Sequence, residues 1–237
     1  MSSDHHGVTG STVRRSSGRL GEAALVVCAA VVLTLVPPLV LVNPVATELM
    51  RDLFAGEPVG VAEAEAERTS RAIVSSIYGG ELAIDDPRPG YGAITAEEVA
   101  HMRDVRRAVL ALWALVGGSL ALACFAWVRL RLSPRRRLRA LRTAAFASLA
   151  FVALAVAFAL LDFAAAFAGF HALLFPQGGW QFPAGKLLVE LYPERFWRGA
   201  GAIAAALTVL SSATAVAITR RRRWAQVSGR AQRSADA

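Results

Sequence analysis

Four long apolar stretches decide what this chain can become. Residues 20–42, 108–128, 143–162 and 199–219 each run for some 20 residues with almost no charge: Glu22 interrupts the first, Asp162 closes the third, and the other two carry none. About 20 apolar residues in a helix cross the ~30 Å hydrocarbon core of a bilayer. Within that core the backbone groups must be satisfied inside the segment, so each stretch reads as a helix. The sequence is 55% hydrophobic, too apolar for an ordinary soluble domain of 237 residues. The expected fold class is an all-α integral membrane protein with four transmembrane helices. An extracytoplasmic cap is formed by the loops between spans 1 and 2 and between spans 3 and 4, with minor β structure.

The arginines orient the spans. Arg14, Arg15 and Arg19 precede the first span, and Arg129, Arg131, Arg135, Arg136, Arg137, Arg139 and Arg142 join the second to the third. Arg220, Arg221, Arg222, Arg223, Arg230 and Arg233 follow the fourth. With alternating spans these segments share one side, which the positive-inside rule assigns to the cytoplasm. Residues 1–19 are then expected to be a disordered cytoplasmic tail and residues 220–237 a basic one. The outer loops are residues 43–107 and 163–198. The same distribution accounts for the net charge of +8, because sixteen of the 26 basic residues lie in those three segments. Anionic inner-leaflet lipid satisfies them, and nucleic acid is excluded as the expected partner. The first span is longer than a secretory h-region and no small-x-small site follows it, so it reads as an uncleaved anchor. Cys28 and Cys124 fall inside spans and read as small core residues.

The outer loops carry local pattern. Residues 47–54 form a short helix ahead of Gly56 and Pro58, and residues 62–78 a second with Ala66, Ile73 and Ile77 on one face. Residues 79–84, followed by Asp85-Asp86-Pro87, are expected as a short strand and turn. Thr95 with Glu98 three residues on is a capping box. The helix it starts runs through His101 and Asp104, which are i, i+3 neighbours, into the second span. Residues 143–175 are apolar apart from Asp162 and His171. A continuous helix of that length would run about 50 Å, so it must end, bend or lie down after Asp162, with Gly169 the expected place. His171 then sits in an apolar segment at the outer interface. Trp180, Phe182, Tyr192, Phe196 and Trp197 follow as an interfacial aromatic belt.

His101 and His171 are thus expected at the same membrane face, whereas His5 and His6 lie in the polar tail. Histidine exchanges protons near neutral pH without special tuning, so the two form a candidate proton-handling pair. An alternative makes His101, Asp104, His171 and Asp162 zinc ligands of a membrane hydrolase. No His-Glu-x-x-His pair supports it, and no Gly-x-Ser-x-Gly elbow supports a serine hydrolase. A further alternative is a non-catalytic accessory protein whose outer loop meets a partner.

Glu98-Val99-Ala100-His101-Met102-Arg103-Asp104-Val105 resembles a Glu-x-x-His-x-x-Asp-Val signature of the bacterial lipoprotein intramolecular transacylases (Lit). Phe170-His171, Phe175-Pro176-Gln177-Gly178-Gly179-Trp180-Gln181-Phe182 and Leu191-Tyr192-Pro193-Glu194-Arg195-Phe196-Trp197 resemble a second. The resemblance implies a multi-pass plasma-membrane acyltransferase with both termini cytoplasmic and an outward-facing site. Its substrate would be a diacylated lipoprotein bearing S-diacylglyceryl-cysteine with a free α-amine. The sn-2 acyl chain moves to that amine, giving the N-acyl lyso-form. Donor and acceptor share one molecule, so no cofactor and no metal are implied. His101 and His171 would be catalytic, with Asp104, Asp162, Trp180 and Gln181 supporting or binding substrate. Gln181, Trp180 and the Gly178 and Gly179 amides are candidate donors to the tetrahedral oxyanion.

Overall fold

The computed structural model describes residues 8–56, 63–79, 94–129 and 132–235, with side chains placed between residues 19 and 221. Its elements are α1 (Val8–Leu41), α2 (Pro44–Phe54), α3 (Glu63–Ser76), α4 (Ala96–Arg129), α5 (Pro134–Leu161), α6 (Phe163–Leu174), α7 (Leu187–Leu191) and α8 (Glu194–Ala235). Among the described residues there is no strand. The expected strand and turn at residues 79–87 fall, but for Gly79, outside those residues. Among the described residues, four helical segments are long and apolar enough to cross a membrane: Arg19–Leu41, Ala96–Arg129, Pro134–Leu161 and Glu194–Arg221.

The end helices extend further than expected. Residues 8–19, anticipated as disordered, continue α1, and α8 carries on to Ala235. Extending an existing helix adds a hydrogen bond per residue without a new nucleation cost, and neither extension contains proline. Helix α1 ends at Leu41 beside Asn43, whose amide donates to the Val40 carbonyl while its Oδ1 accepts from Ala46 N–H. One side chain therefore closes α1 and caps α2, with Pro44 at the first helical position, where a missing N–H costs nothing.

The largest correction concerns residues 143–175. The chain breaks at Asp162, and Gly169 lies inside a helix. Asp162 leaves helical geometry (φ −151°, ψ 96°) and its carboxylate accepts from Ala165 N–H, capping α6. A glycine within a helix costs only about 1 kcal/mol, whereas an extended Asp that satisfies an orphan N–H starts a new one. Cys28 is buried as expected, but Cys124 is exposed on α4 and is no core residue.

Two compact units partition the chain. The first comprises Met1–Val36, Leu115–Val152 and Thr208–Ala237, and the second Pro37–Ala114 and Ala153–Leu207. In the first, Leu25, Ala126, Leu132 and Ala140 pack as a buried cluster, and Thr34 and Ser148 share a 2.8 Å hydrogen bond. Glu22 lies 4.0 Å from Arg136 and 3.9 Å from Arg139, and Arg137 stacks on Trp127. In the second, α3 buries Ala66, Ile73 and Val74, with Ile77 just beyond its end. Helix α8 approaches α2 at Gly199, where a Cβ would stand 2.3 Å from the Phe54 ring. No other residue type fits there without displacing that ring.

Candidate active site

Helix α4 is 34 residues long, about 51 Å, so it outruns the apolar core. Its first three turns carry Glu97, Glu98, Arg103, Asp104, Arg106 and Arg107 and lie outside the apolar run that begins at Ala108. The capping box forms: Glu98 Oε2 accepts from Thr95 N–H at 2.9 Å and from the Thr95 hydroxyl at 2.8 Å. It holds the register that places His101 one turn further on.

Helix α6 presents the partner. It is apolar on nearly every side, and the one residue it buries is His171. Leu173 is 80% exposed, with Phe170 exposed beside it. In a soluble protein this would be an inverted helix; against acyl chains it is the expected arrangement, with apolar side chains in lipid and the polar one inside.

The imidazoles of His101 and His171 lie with ring centroids 6.4 Å apart and planes 29° from parallel. Aromatic rings surround them. Phe175 and Phe182 meet His101 edge-on at 5.0 and 5.6 Å, and Phe167 and Trp180 lie 4.1 and 4.8 Å from His171. Trp197 closes the far side of His171 at 6.4 Å. Such a setting is largely apolar. Burial pushes His101 below the usual histidine range, the neighbouring His171 pushes it the same way, and Asp104 opposes both. Burial also lowers His171, opposed by its bond to the Phe167 carbonyl. Both rings are therefore neutral at pH 7, and neutral imidazole is the form that accepts a proton.

The two nitrogens of His171 differ. Nδ1 lies 2.9 Å from the Phe167 carbonyl oxygen, which only accepts. In the neutral ring Nδ1 therefore carries the proton and Nε2 the lone pair. His101 Nδ1 is buried with no hydrogen-bond partner, a group held available to something else.

The supporting residues separate. Asp104 does not hydrogen-bond either histidine; it binds Arg107 at 2.6 Å and Gln177 at 3.0 Å. Asp162 caps α6, so it places His171 without touching it. Trp180 packs on His171, and Gln181 is exposed. The Gly178 amide donates to the Phe175 carbonyl and is unavailable to an oxyanion. Among the described residues no three His, Cys, Asp or Glu side chains gather as metal ligands, so the four proposed zinc ligands do not form a site.

Two features escaped the sequence reading. Glu98 is more than a cap: it is fully buried and its Oε1 accepts from Leu188 N–H at 2.9 Å. The second is a buried polar cluster. Arg51 binds Glu48 at 3.1 Å and lies 3.7 Å from Glu63, while the Ser70 and Tyr192 hydroxyls meet at 2.9 Å. Burial raises the Glu48 carboxyl, against its hydrogen bond to Ser70 and the charge of Arg51, and burial also raises the Tyr192 phenol. The i, i+3 spacing of Glu48 and Arg51 was visible, but such pairs are usually solvated.

The fold and this site define a four-span helical membrane protein with an aromatic-lined histidine pair beside an apolar surface. Residues 81–197, which hold both signatures, match the family model of the lipoprotein intramolecular transacylase Lit. The chain is similar to this family over those residues. It is also similar to solved structures of the membrane-integral Lit of Bacillus cereus. One has 16% identity and a TM-score of 0.69, covering 86% of this chain and 94% of that one. A variant with one histidine replaced by arginine has 14% identity and a TM-score of 0.70, covering 94% and 99%. At such identities the likeness speaks for the fold. No curated protein sequence matches the chain.

Proposed function

We propose that this protein is a lipoprotein intramolecular transacylase that moves the sn-2 acyl chain of a diacylglyceryl-cysteine to the α-amine of the same cysteine. The observation that carries the reading is the pair of imidazoles, ring centroids 6.4 Å apart in an aromatic-lined site, with His171 on a helix whose remaining surface is apolar. An ester in the leaflet and an amine at its surface meet at such a place.

The residues divide the chemistry as follows. The neutral α-amine, whose usual pKa is near 8, attacks the sn-2 ester carbonyl. His171 Nε2 is the base that takes the ammonium proton as the C–N bond forms. The tetrahedral intermediate collapses, the C–O bond breaks, and the proton passes to the departing glyceryl oxygen. His101, with its unpaired Nδ1, carries that proton or holds the developing charge. The products are an amide and a free glyceryl hydroxyl; nothing is oxidised and no water enters. A positioned acid or base contributes roughly 10²–10⁴-fold.

The protein is read as multi-pass with both termini cytoplasmic and the histidine pair facing outward. In domain terms, the spans and their two outer loops form one membrane domain over residues 20–219, flanked by terminal tails. Support comes from the arginine distribution: the basic segments belong to one compact unit, and His101 and His171 to the other. In Arg68→Cys and Ser133→Cys variants, an impermeant thiol reagent applied to intact cells should label position 68 alone; labelling of position 133 alone would reverse the orientation. The activity itself is read by mass spectrometry of lipoprotein N-termini from cells with and without the protein. N-acyl lyso-form lipoprotein should appear only in its presence, and identical N-termini would transfer the case to the accessory-protein reading.

A further inference from the structure

His171 is only 6% exposed, so neither an ester nor an amine reaches it in this arrangement. Whatever covers it must move, and Trp180 belongs to that cover, while Phe182 packs on the neighbouring His101. Both are carried by one stretch of chain, residues 177–188, and that stretch is held at its two ends by the same helix. The Glu98-x-x-His101-x-x-Asp104 spacing sets one carboxylate a turn before His101 and another a turn after it. Glu98 Oε1 accepts from Leu188 N–H at 2.9 Å, and Asp104 Oδ2 accepts from Gln177 Nε2 at 3.0 Å. Between the two anchors, Trp180 reaches 4.8 Å from His171 and Phe182 reaches 5.6 Å from His101.

The anchors are unequal. Glu98 is fully buried, and the N–H it accepts belongs to the first turn of α7, which has no side-chain cap of its own. Breaking that bond strands a carboxylate and an amide away from water, the costly way to lose a hydrogen bond. The Asp104 carboxylate is partly exposed and shared with Arg107, and Gln177 is exposed, so both rehydrate when they part. Beside that weaker anchor stand Gly178 (φ 81°) and Gly179 (φ 78°), a backbone geometry glycine adopts without strain. Gly185 (φ 86°) has the same geometry near the other anchor, so it is the unequal strength of the two anchors that leaves the chain fixed at one end and releasable at the other.

We propose that residues 177–188 form a strap across the paired imidazoles, hinged on Glu98 and latched on Asp104, whose release admits the acylated cysteine of the substrate. The substrate rests on the transacylase reading above, whereas the strap and its two anchors do not. Glu98 and Asp104 are positioning residues: neither touches the reacting atoms, and each acts through the segment it holds.

Two measurements on the full-length protein in lipid nanodiscs test this. In hydroxyl-radical footprinting, Trp180 and Phe182 should be oxidised roughly tenfold faster in Asp104→Ala than in wild type while Leu188 is unchanged. Equal oxidation of Trp180 and Phe182 in the two proteins would overturn the latch, whatever an activity assay shows. In the second, Asp104→Cys and Gln177→Cys are combined with Cys28→Ala and Cys124→Ala and bridged by a short bis-methanethiosulfonate, which reductant removes. With a diacylglyceryl-cysteine lipopeptide, the bridged protein should lose at least tenfold in turnover and regain it on reduction. Unchanged turnover with the bridge in place would overturn the opening step. If the wild type itself converts no lipopeptide, the transacylase reading fails, and footprinting alone decides the strap.

Discussion

The unit formed by Met1–Val36, Leu115–Val152 and Thr208–Ala237 and the unit formed by Pro37–Ala114 and Ala153–Leu207 bury different kinds of polar side chain. Among the described residues, the first buries hydroxyls: Ser119, Ser148, Thr208, Ser212 and Thr219. The second buries Glu48, Arg51, Glu98 and His171 beside its own hydroxyls. A hydroxyl in a membrane helix can satisfy itself on the preceding turn, as Thr219 does on the Val216 carbonyl, or on a neighbour, as Thr34 does with Ser148. A buried charge or imidazole needs more than one local bond. His171 Nδ1 meets the Phe167 carbonyl and Arg51 meets Glu48 within their own helices, but Arg51 also lies near Glu63 and Glu98 accepts from the distant Leu188 N–H. Buried hydroxyls therefore say little about function, and buried titratable groups mark where the chain has been committed to one.

That contrast sets the expected sizes of its tests. The largest effect belongs to the histidines: His101→Ala or His171→Ala should lower acyl transfer by about 10²-fold or more while leaving the amount of protein in the membrane unchanged. Cys28→Ala, by comparison, should retain activity. A retained rate in both histidine variants would erase the functional distinction between the units.

Arg51→Ala comes next. It leaves Glu48 buried with one partner fewer, a loss of about 3–5 kcal/mol, which thermal unfolding in detergent should show as a fall of roughly 10 °C. An unchanged midpoint would mean that the cluster is hydrated and the contrast overstated.

The pH response is intermediate. Both imidazoles are lowered by burial, so the unfolded chain protonates more readily than the folded one. Their stabilising effect is present above about pH 6.5, the ordinary histidine value, and is lost as the pH falls through the lowered folded values. Activity should follow the same sign: kcat/KM rises with pH as the substrate amine loses its proton near 8, and falls more steeply once the histidines protonate below 6.5. A slope that stays constant from pH 8 down to 5 would remove the imidazoles from the rate law.

The smallest effect should come from the other unit, where Thr34→Val costs about 0.6 kcal/mol and leaves acyl transfer untouched. A loss of activity there would show that the hydroxyls, too, serve the site.

What could be read from the sequence follows the range of the forces involved. The four spans, the Thr95–Glu98 cap and the helices holding Thr47 and Ile73 are set by neighbours in the chain, so periodicity and turn chemistry were enough. The approach of His101 to His171 was anticipated because topology and two signatures placed both at one face. The break was assigned to Gly169 when Asp162 makes it, because an extended Asp capping the next helix outweighs a glycine that helices tolerate. The second partner of Glu98, the commitment of Asp104 to Gln177, and the Ser70–Tyr192 contact join residues 73 to 122 positions apart. No local pattern encodes such pairs.

The most direct test follows one acyl chain. Purified protein in lipid nanodiscs is given a diacylglyceryl-cysteine lipopeptide labelled with a heavy isotope in the sn-2 chain alone, and tandem mass spectrometry locates the label. The account predicts that the label moves to the α-amine of the same molecule with a free glyceryl hydroxyl left behind, and that His171→Ala leaves it on the ester. Release of the label as free fatty acid, or its retention on the ester with the wild-type protein, would contradict it.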